Sequence, residues 1–343
     1  MRSDIKYIGI GLLVGGGVAA IVITGLFFAG FLQLGLSSVP DSEIIIPSEQ
    51  PPNSVFVPGI IPTPTFLPTF TPTFTPTNTP ALVASPTTDT ETLLADQINQ
   101  TLSSFGGDWN ILIRADGSRT VFSHNSDQVV HVASIIKVPV AMLFFKLLEE
   151  QGIPPSEYAT YLSTRGVGRT YQQLLKAMLV DSEESATGTL RTIIADSKMD
   201  VTTTLKSWGA IHTDLSKRHS TPDDIAKLYE SLYFGKAITP EGRKIILDYM
   251  SAYTPNDDTR LGVIRPSLPP GAQFYNKRGT ITEGILVVGD SALFTWPQDG
   301  KEKVYVVVIL GYPGDPPISD VKLVKGIEAI AHQFWNFAAP KKP

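Results

Sequence analysis

The sequence predicts an α+β domain with three layers (α/β/α), in which both ends of the domain supply strands to one antiparallel sheet and a helical subdomain is inserted between them. Two observations lead to this prediction. Strand-like residues stand at both ends of the globular part of the chain, and the segment between them has a mostly helical pattern. Such strands form one sheet when the two ends of the domain pair with each other.

The predicted elements follow in order along residues 92–343. Residues 92–105 have the apolar spacing of an amphipathic helix, and two strands then flank a turn at Asp116 and Gly117. The remaining predicted elements are a helix from near Ser134 to about Glu150, helices between residues 170 and 253, strands with the sequences ILVVGD, SALFTW and VYVVVILGY, and a last helix over residues 318–337.

An apolar segment at residues 7–36 contains no Asp, Glu, Lys or Arg. It is longer than the ~20 residues that a helix needs to span a bilayer. Arg2 and Lys6 precede this segment and acidic residues come after it, so the positive-inside rule places residues 1–6 in the cytoplasm. We predict an uncleaved, single-pass transmembrane signal anchor with the rest of the chain outside, and a cleaved signal peptide is the alternative.

Residues 37–91 are rich in Pro and Thr, most plainly in the run IPTPTFLPTFTPTFTPTNTP. Frequent proline removes backbone donors and favours extended polyproline II, so this segment is predicted to be a disordered linker without a core. O-glycosylation of its Thr-Pro repeats or binding of a partner module are the alternatives. Its predicted role is to hold the domain of residues 92–343 away from the membrane.

Composition narrows the function classes. The formal net charge is −5, so no global basic field points to nucleic acid, and the absence of cysteine rules out a disulfide, a thiolate nucleophile or a cysteine metal site. The five histidines never pair at the spacing of metal ligands, and no phosphate-binding Gly-rich loop is present. We therefore predict no metal, no cofactor and no nucleic-acid partner.

Ser134 and Lys137 lie three residues apart at the start of a predicted helix. Residues with this spacing share a helical face, so the lysine amine is expected to reach the serine hydroxyl. A serine is a weak nucleophile until a base takes its proton, and Lys137 acts as that base only if its pKa is lowered. The spacing alone is also that of a helix N-cap with a surface lysine, so its significance depends on whether companion motifs occur farther along the chain.

Two further motifs occur in order: DSEES around Ser182 and NKRGT, which contains Lys277. Together with Ser134-Ile-Ile-Lys137 they resemble the Ser-x-x-Lys, Ser-Asp-Asn and Lys-Thr-Gly motifs of class A β-lactamases and low-molecular-weight penicillin-binding proteins. The resemblance extends over the whole globular part, including GDSALFTWP after the third motif.

The resemblance implies roles for seven residues. Ser134 would attack a carbonyl, Lys137 would take its proton, and Ser182 would relay a proton to the leaving nitrogen. The residues implied to bind substrate are Glu184, Lys277, Gly279 and Thr280. Among them, Lys277 would orient Ser182 and attract a carboxylate, Gly279 would let the strand lie close to the substrate, and the backbone N–H of Thr280 would complete an oxyanion hole with that of Ser134.

The sequence departs from the family pattern at two places. Glu184 stands where the family usually has asparagine, and an ionised glutamate only accepts hydrogen bonds and favours a charged Lys137. In addition, residues 185–229 contain no glutamate to activate the water that hydrolyses the acyl-enzyme in class A β-lactamases, and Asp214 is the nearest carboxylate before the Thr-Pro turn. Slow deacylation is therefore expected.

We predict a membrane-anchored serine hydrolase, either a β-lactamase or a penicillin-binding peptidase, that is acylated at Ser134 by a β-lactam or a peptidoglycan-like peptide. It would be a monomer on the outer face of a bacterial cell membrane. Two alternatives stay open: a catalytically inactive binding or sensory module, which Glu184 favours, and a D-Ala-D-Ala-type peptidase.

Overall fold

The computed structural model of the chain describes residues 89–252, 259–298 and 300–340. The predicted cytoplasmic N-terminus (1–6), the signal anchor (7–36) and the linker (37–91) up to residue 88 lie outside these ranges. Within the ranges, none of the helices is long and apolar enough to cross a membrane.

Nine strands are present in the described residues: β1 (Asp108–Ala115), β2 (Arg119–His124), β3 (Val130–His131), β4 (Gly166–Val167), β5 (Arg169–Thr170), β6 (His219–Ser220), β7 (Gln273–Ile281), β8 (Val287–Gln298) and β9 (Lys301–Tyr312). Five of them form the central antiparallel sheet in the order β2, β1, β9, β8, β7. β1 pairs with β9 from Asp108 opposite Tyr312 to Ala115 opposite Tyr305. The prediction of a sheet built from both ends of the domain is confirmed.

The helices of the described residues are α1 (Asp89–Phe105), α2 (Lys137–Glu150), α3 (Tyr158–Thr164), α4 (Tyr171–Leu179), α5 (Glu184–Asp196), α6 (Val201–Ser207), α7 (Pro222–Tyr233), α8 (Pro240–Met250) and α9 (Asp320–Ala338). Short 3-10 helices cover Ala133–Ile136, Pro155–Glu157 and Arg260–Ser267. Helices α2 to α8 come between the first and the last strands of the sheet, as predicted for the inserted subdomain.

Both faces of the sheet are buried, and β9 shows the division. Val306, Val308 and Leu310 pack into a core with the helical subdomain, whereas Val307 and Ile309 pack into a second core with α1 and α9. Successive side chains of a strand point to opposite faces, so an unbroken apolar strand supplies both cores. The sheet is therefore the middle of three layers, in agreement with the predicted α/β/α arrangement.

One predicted break in the sheet is wrong. The last four residues of ILVVGD and the whole of SALFTW belong to a single strand, β8, which begins at Val287 and continues through the polar residues Asp290 and Ser291. Both side chains are fully buried and satisfied: Asp290 accepts hydrogen bonds from Leu261 N and Asn276 Nδ2, and the Ser291 hydroxyl donates to Lys277 O. Because these polar groups have partners in the interior, they do not end the strand.

Two helix boundaries also differ from the prediction. α1 begins at Asp89, three residues before the predicted start, and α2 begins at Lys137 because the preceding turn is a 3-10 helix. Eleven of the fourteen residues of α2 are buried, so this helix forms the centre of the helical layer. α2 thus brings Lys137 into the interior of the domain.

Candidate active site

Ser134 lies in the 3-10 turn that leads into α2, and 8% of its surface is exposed. The residue before it, Ala133, has the left-handed φ of +50°, a conformation that costs a non-glycine residue free energy. Neighbouring hydrogen bonds stabilise the turn: Ala133 N donates to His131 Nδ1 at 3.1 Å, and Val132 N donates to Arg218 O at 2.9 Å. The surrounding structure therefore holds the turn that presents the Ser134 hydroxyl.

Lys137 is completely buried, and its amine donates three hydrogen bonds. The acceptors are Ser182 O at 2.5 Å, Ser182 Oγ at 3.2 Å and Glu184 Oε1 at 2.6 Å. Burial lowers the pKa of Lys137, the hydrogen bond and charge of Glu184 oppose this, and the charge of Arg218 lowers the pKa further. The net direction is downward, as a proton acceptor requires, whereas donation of all three hydrogen bonds at once requires the charged ammonium form.

Ser182 lies in the segment between α4 and α5 with a left-handed φ of +58°. Its hydroxyl accepts a hydrogen bond from Lys277 Nζ at 2.9 Å as well as the one from Lys137. Lys277 is 4% exposed, and burial, followed by the positive charge of Lys137, lowers its pKa to about 7. The Ser182 hydroxyl thus lies between two amines whose pKa values are both lowered.

Glu184 is the first residue of α5, and both of its carboxylate oxygens are engaged. Oε1 accepts from Lys137 and, at 3.5 Å, from the Ser134 hydroxyl, while Oε2 accepts from Arg218 Nη2 at 2.5 Å. Burial raises the pKa of Glu184, but the hydrogen bonds and charges of Lys137 and Arg218 outweigh it, and the net shift is downward. Glu184 is therefore ionised at neutral pH.

The expected contact between Lys137 and Ser134 takes a different form. The hydrogen bonds of the Lys137 amine go to Ser182 and Glu184, and the Ser134 hydroxyl donates to the same Glu184 oxygen. A carboxylate is a stronger acceptor for an ammonium than a hydroxyl is, so Glu184 attracts the amine. Glu184 thereby links the two residues that the first motif was expected to join directly.

Gly279 and Thr280 lie on the edge strand β7, beside the turn that carries Ser134. A Cβ atom on Gly279 would lie 3.0 Å from Val132 O and 3.1 Å from Ala133 Cβ, so a larger residue would push the strand and the turn apart. The Thr280 hydroxyl accepts a hydrogen bond from Arg260 Nη2 at 2.7 Å. The edge of β7 at Gly279 therefore packs directly against the turn that carries Ser134.

Two arginines of the site were missed by sequence reasoning. Arg260 donates to Gly279 O at 3.1 Å and to Gly289 O at 2.8 Å besides its bond to Thr280, and Arg218 pairs with Glu184. Arg218 had one available signal, because the unusual Glu184 requires a compensating cation and a short basic run precedes the Thr-Pro turn. Arg260 carries no recognisable local motif.

Asp214, the predicted nearest carboxylate, caps its own loop. Its Oδ1 accepts hydrogen bonds from Ser216 N, Ser216 Oγ and Lys217 N, all at 3.1 Å or less. In the part of the chain that the structure describes, no group of three or more His, Cys, Asp or Glu residues is arranged to hold a metal ion.

The predicted site residues Ser134, Lys137, Ser182, Glu184 and Lys277 thus form one hydrogen-bonded cluster, with Gly279 and Thr280 on the adjacent strand edge. A helix-borne Ser-x-x-Lys beside a Ser–Lys pair from two other segments defines the class of serine hydrolases with a β-lactamase-like fold. The model of the β-lactamase enzyme family matches residues 93–337, so the chain belongs to this family.

Solved structures support the assignment of the fold. A β-lactamase from Xanthomonas campestris pv. campestris shares 17% identity and a TM-score of 0.57, over 73% of this chain and 99% of its own. TLA-3 extended-spectrum β-lactamase shares 16% identity and a TM-score of 0.58, over 73% and 100%. A representative of class A β-lactamase from Bacteroides cellulosilyticus shares 16% identity and a TM-score of 0.57, over 72% and 98%. No curated protein sequence matches the chain.

Proposed function

We propose that the chain is an extracytoplasmic acyl-transfer enzyme in which a β-lactam, or a related cell-wall peptide amide, acylates Ser134. The observation that supports this most strongly is the Ser182 hydroxyl, which accepts hydrogen bonds from the buried amines of Lys137 at 3.2 Å and Lys277 at 2.9 Å. A hydroxyl held between two amines beside a nucleophile is suited to pass a proton onward.

In this proposal Ser134 Oγ attacks the substrate carbonyl and forms the new C–O bond. The hydroxyl proton passes to the neutral Lys137 amine, through the Glu184 oxygen that both groups contact. Lys137 then delivers a proton through Ser182 to the substrate nitrogen, and the C–N bond breaks. The backbone N–H groups of Ser134 and Thr280 would stabilise the oxyanion, a contribution that is large in other acyl-transfer enzymes.

The charges at the edge of β7 favour an anionic substrate. Lys277, whose pKa is lowered to about 7, lies on this strand, and Arg260 donates to the Thr280 hydroxyl. Arg260 and the protonated form of Lys277 therefore place positive charge near the strand edge that a substrate would contact. A substrate carboxylate is a natural partner for an arginine or lysine beside a hydroxyl. β-Lactams and the ends of cell-wall peptides both carry such a carboxylate.

The N-terminal segment completes the proposal. Residues 7–36 would form a single-pass anchor in a bacterial cell membrane, with residues 37–88 as the spacer that carries the enzyme outside. Accessibility of the domain to a protease added to intact cells would test this placement, and protection of the domain until the cells are lysed would contradict it.

One observation favours a second candidate, a catalytically inactive binding or sensory module. The ion pair of 2.6 Å between Lys137 and Glu184 stabilises the charged amine and so opposes its action as a base. A D-Ala-D-Ala-type peptidase is a third candidate, which shares the acylation step and differs in the acceptor of the acyl group.

Intact-mass measurement of the purified full chain after mixing with a penicillin tests the proposal. We expect an adduct of the penicillin's mass on the wild-type chain and none on Ser134→Ala. Parallel hydrolysis of a chromogenic cephalosporin separates a β-lactamase, which turns over, from a penicillin-binding peptidase, which stays acylated. Absence of an adduct with several β-lactams and with a D-Ala-D-Ala peptide would favour the inactive module.

A further inference from the structure

We propose that Glu184 is the general base that activates the water for hydrolysis of the Ser134 acyl-enzyme, with Arg218 as the residue that orients its carboxylate. This inference rests on the proposed function, because it concerns the fate of an acyl group on Ser134. It assigns a hydrolytic role to the second motif, at a residue that the family pattern associates with substrate binding.

The position of Glu184 relative to Ser134 carries the inference. Its Oε1 atom lies 3.5 Å from Ser134 Oγ, and the acyl carbon would be bonded to that same Oγ. A carboxylate at this distance can hold a water molecule against the acyl carbon, within the reach that general-base catalysis requires. In the described part of the chain, the other glutamate of the motif, Glu183, pairs with Arg169 instead.

Solvent access separates Glu184 from the other basic groups of the site. The Glu184 side chain is 53% exposed, whereas that of Lys137 is 0% exposed, so water reaches the carboxylate but not the amine. Both lysine amines also donate to Ser182. Glu184 is therefore the basic group of the cluster that contacts both solvent and the Ser134 oxygen.

Arg218 holds the carboxylate oxygen that Lys137 does not contact. Its Nη2 donates to Glu184 Oε2 at 2.5 Å, which leaves Oε1 directed at Ser134 and Lys137. The Arg218 backbone also contacts the turn that carries Ser134, because the Arg218 carbonyl accepts a hydrogen bond from Val132 N at 2.9 Å. Movement of Arg218 would thus alter the position of the carboxylate relative to the acyl group.

The step balances with water as the second reactant. The water oxygen forms a bond to the acyl carbon while its proton moves to Glu184 Oε1. The proton passes on to the Lys137 amine, 2.6 Å away, so that a weakly basic carboxylate is sufficient. The tetrahedral intermediate then collapses, the bond between the carbon and Ser134 Oγ breaks, and Oγ recovers a proton from Lys137 as the carboxylic acid leaves.

The experiment monitors decay of the acyl-enzyme on the full chain. The protein is acylated with a penicillin, excess reagent is removed, and loss of the adduct is measured by intact mass, so that a change in acylation rate does not affect the result. We expect Glu184→Gln to slow the decay by ~10²- to 10⁴-fold, the usual contribution of a general base. The matched control is Glu183→Gln, which alters the neighbouring glutamate and should decay at the wild-type rate.

A second variant distinguishes a base from a structural residue. The charged groups that act on Glu184 are Lys137, Arg218 and, more weakly, Lys277. Arg218→Gln removes a cation, so the acidic limb of the decay rate against pH should move to higher pH. A purely structural role would lower the rate without moving that limb.

Each failure has a distinct meaning. Equal decay of the Glu184→Gln and Glu183→Gln adducts, a wild-type adduct that never decays, or an unmoved acidic limb in Arg218→Gln would overturn the inference and leave the proposed function intact. A wild-type chain that forms no adduct at all would overturn the proposed function itself.

Discussion

The candidate site lies between residues of the sheet and residues of the helical subdomain, and these two walls differ in how closely their residues match the family motifs. The sheet wall, formed by β7 and β8 with Lys277, Thr280, Arg260 and Asp290, keeps the lysine and the close strand edge of the third motif. The wall on the side of the helical subdomain, called the helical wall here, comprises Ser182, Glu184 and Arg218, and in it an ion pair replaces the neutral amide that the family usually has. The sheet wall therefore keeps the residues of the third motif, whereas the helical wall differs from the family pattern in its charge and hydrogen bonding.

The two walls also differ in how far their polar side chains are buried. On the sheet wall, the fully buried Asp290 accepts from Leu261 N at 3.3 Å and from Asn276 Nδ2 at 3.2 Å, so a change there leaves buried groups without partners. On the helical wall, Glu184 is 53% exposed and Arg218 27% exposed, so water can replace the contact between these two side chains. Loss of the Glu184–Arg218 pair is therefore expected to cost less stability than loss of the partners of Asp290.

The largest expected effect tests whether proton transfer depends on Lys137. Lys137→Met should slow acylation of Ser134 by ~10²- to 10⁴-fold, because the proton acceptor is lost while an apolar chain of similar length fills the buried space. The rate of adduct formation by intact mass measures this. Lys146→Met, on the same helix and paired with Glu149, is the matched control. A Lys137→Met rate within tenfold of the wild-type rate would assign the base to another group.

The next prediction concerns the support of the sheet wall. Asp290→Ala should lower the free energy of unfolding by ~1–3 kcal/mol, because buried donors lose their acceptor. Asp290→Asn retains an acceptor oxygen and should lose less. Urea denaturation measures both free energies, and an Ala variant as stable as the wild-type chain would show that the sheet wall does not depend on this network.

The smallest expected effect is the dependence of the acylation rate on pH through the charge of Lys277, here called substrate capture. Because burial lowers the pKa of Lys277 to about 7, its charge is present below pH 7 and is lost as the pH rises above it. Acylation by a carboxylate-bearing β-lactam should therefore fall by up to ~10-fold per pH unit above pH 7. Lys277→Arg keeps the charge and should remove this fall, whereas an identical fall in both proteins would assign it to another group.

The same lowered pKa has a consequence for stability, and its sign is opposite to that for capture. Between pH 7 and the ordinary lysine pKa of ~10.4, the unfolded chain binds a proton at Lys277 that the folded chain does not. This residue therefore makes the folded state more stable as the pH rises through that range, and the contribution is lost as the pH falls to 7. Comparison of the wild-type and Lys277→Met unfolding free energies at pH 7 and 9 measures it.

Sequence patterns predicted most elements because they depend on local properties. The apolar run of β9 and the periodicity of α9 lie close to the observed strand and helix, Lys301–Tyr312 and Asp320–Ala338. The division of β8 into two predicted strands was wrong, because the polar residues Asp290 and Ser291 lie within one continuous strand. Their burial and their hydrogen bonds with other segments are invisible at that level.

The sequence by itself determined the family, the order of the three motifs and the residues Ser134, Lys137, Ser182 and Lys277, because these patterns depend on residue type and local spacing. Only the tertiary structure decided which groups pair within the site. Arg218 meets Glu184 across 34 positions, and Lys277 meets Ser182 across 95. Hydrogen bonds and ion pairs act over a few ångströms, so their partners are set by how distant segments fold together and not by their order along the chain.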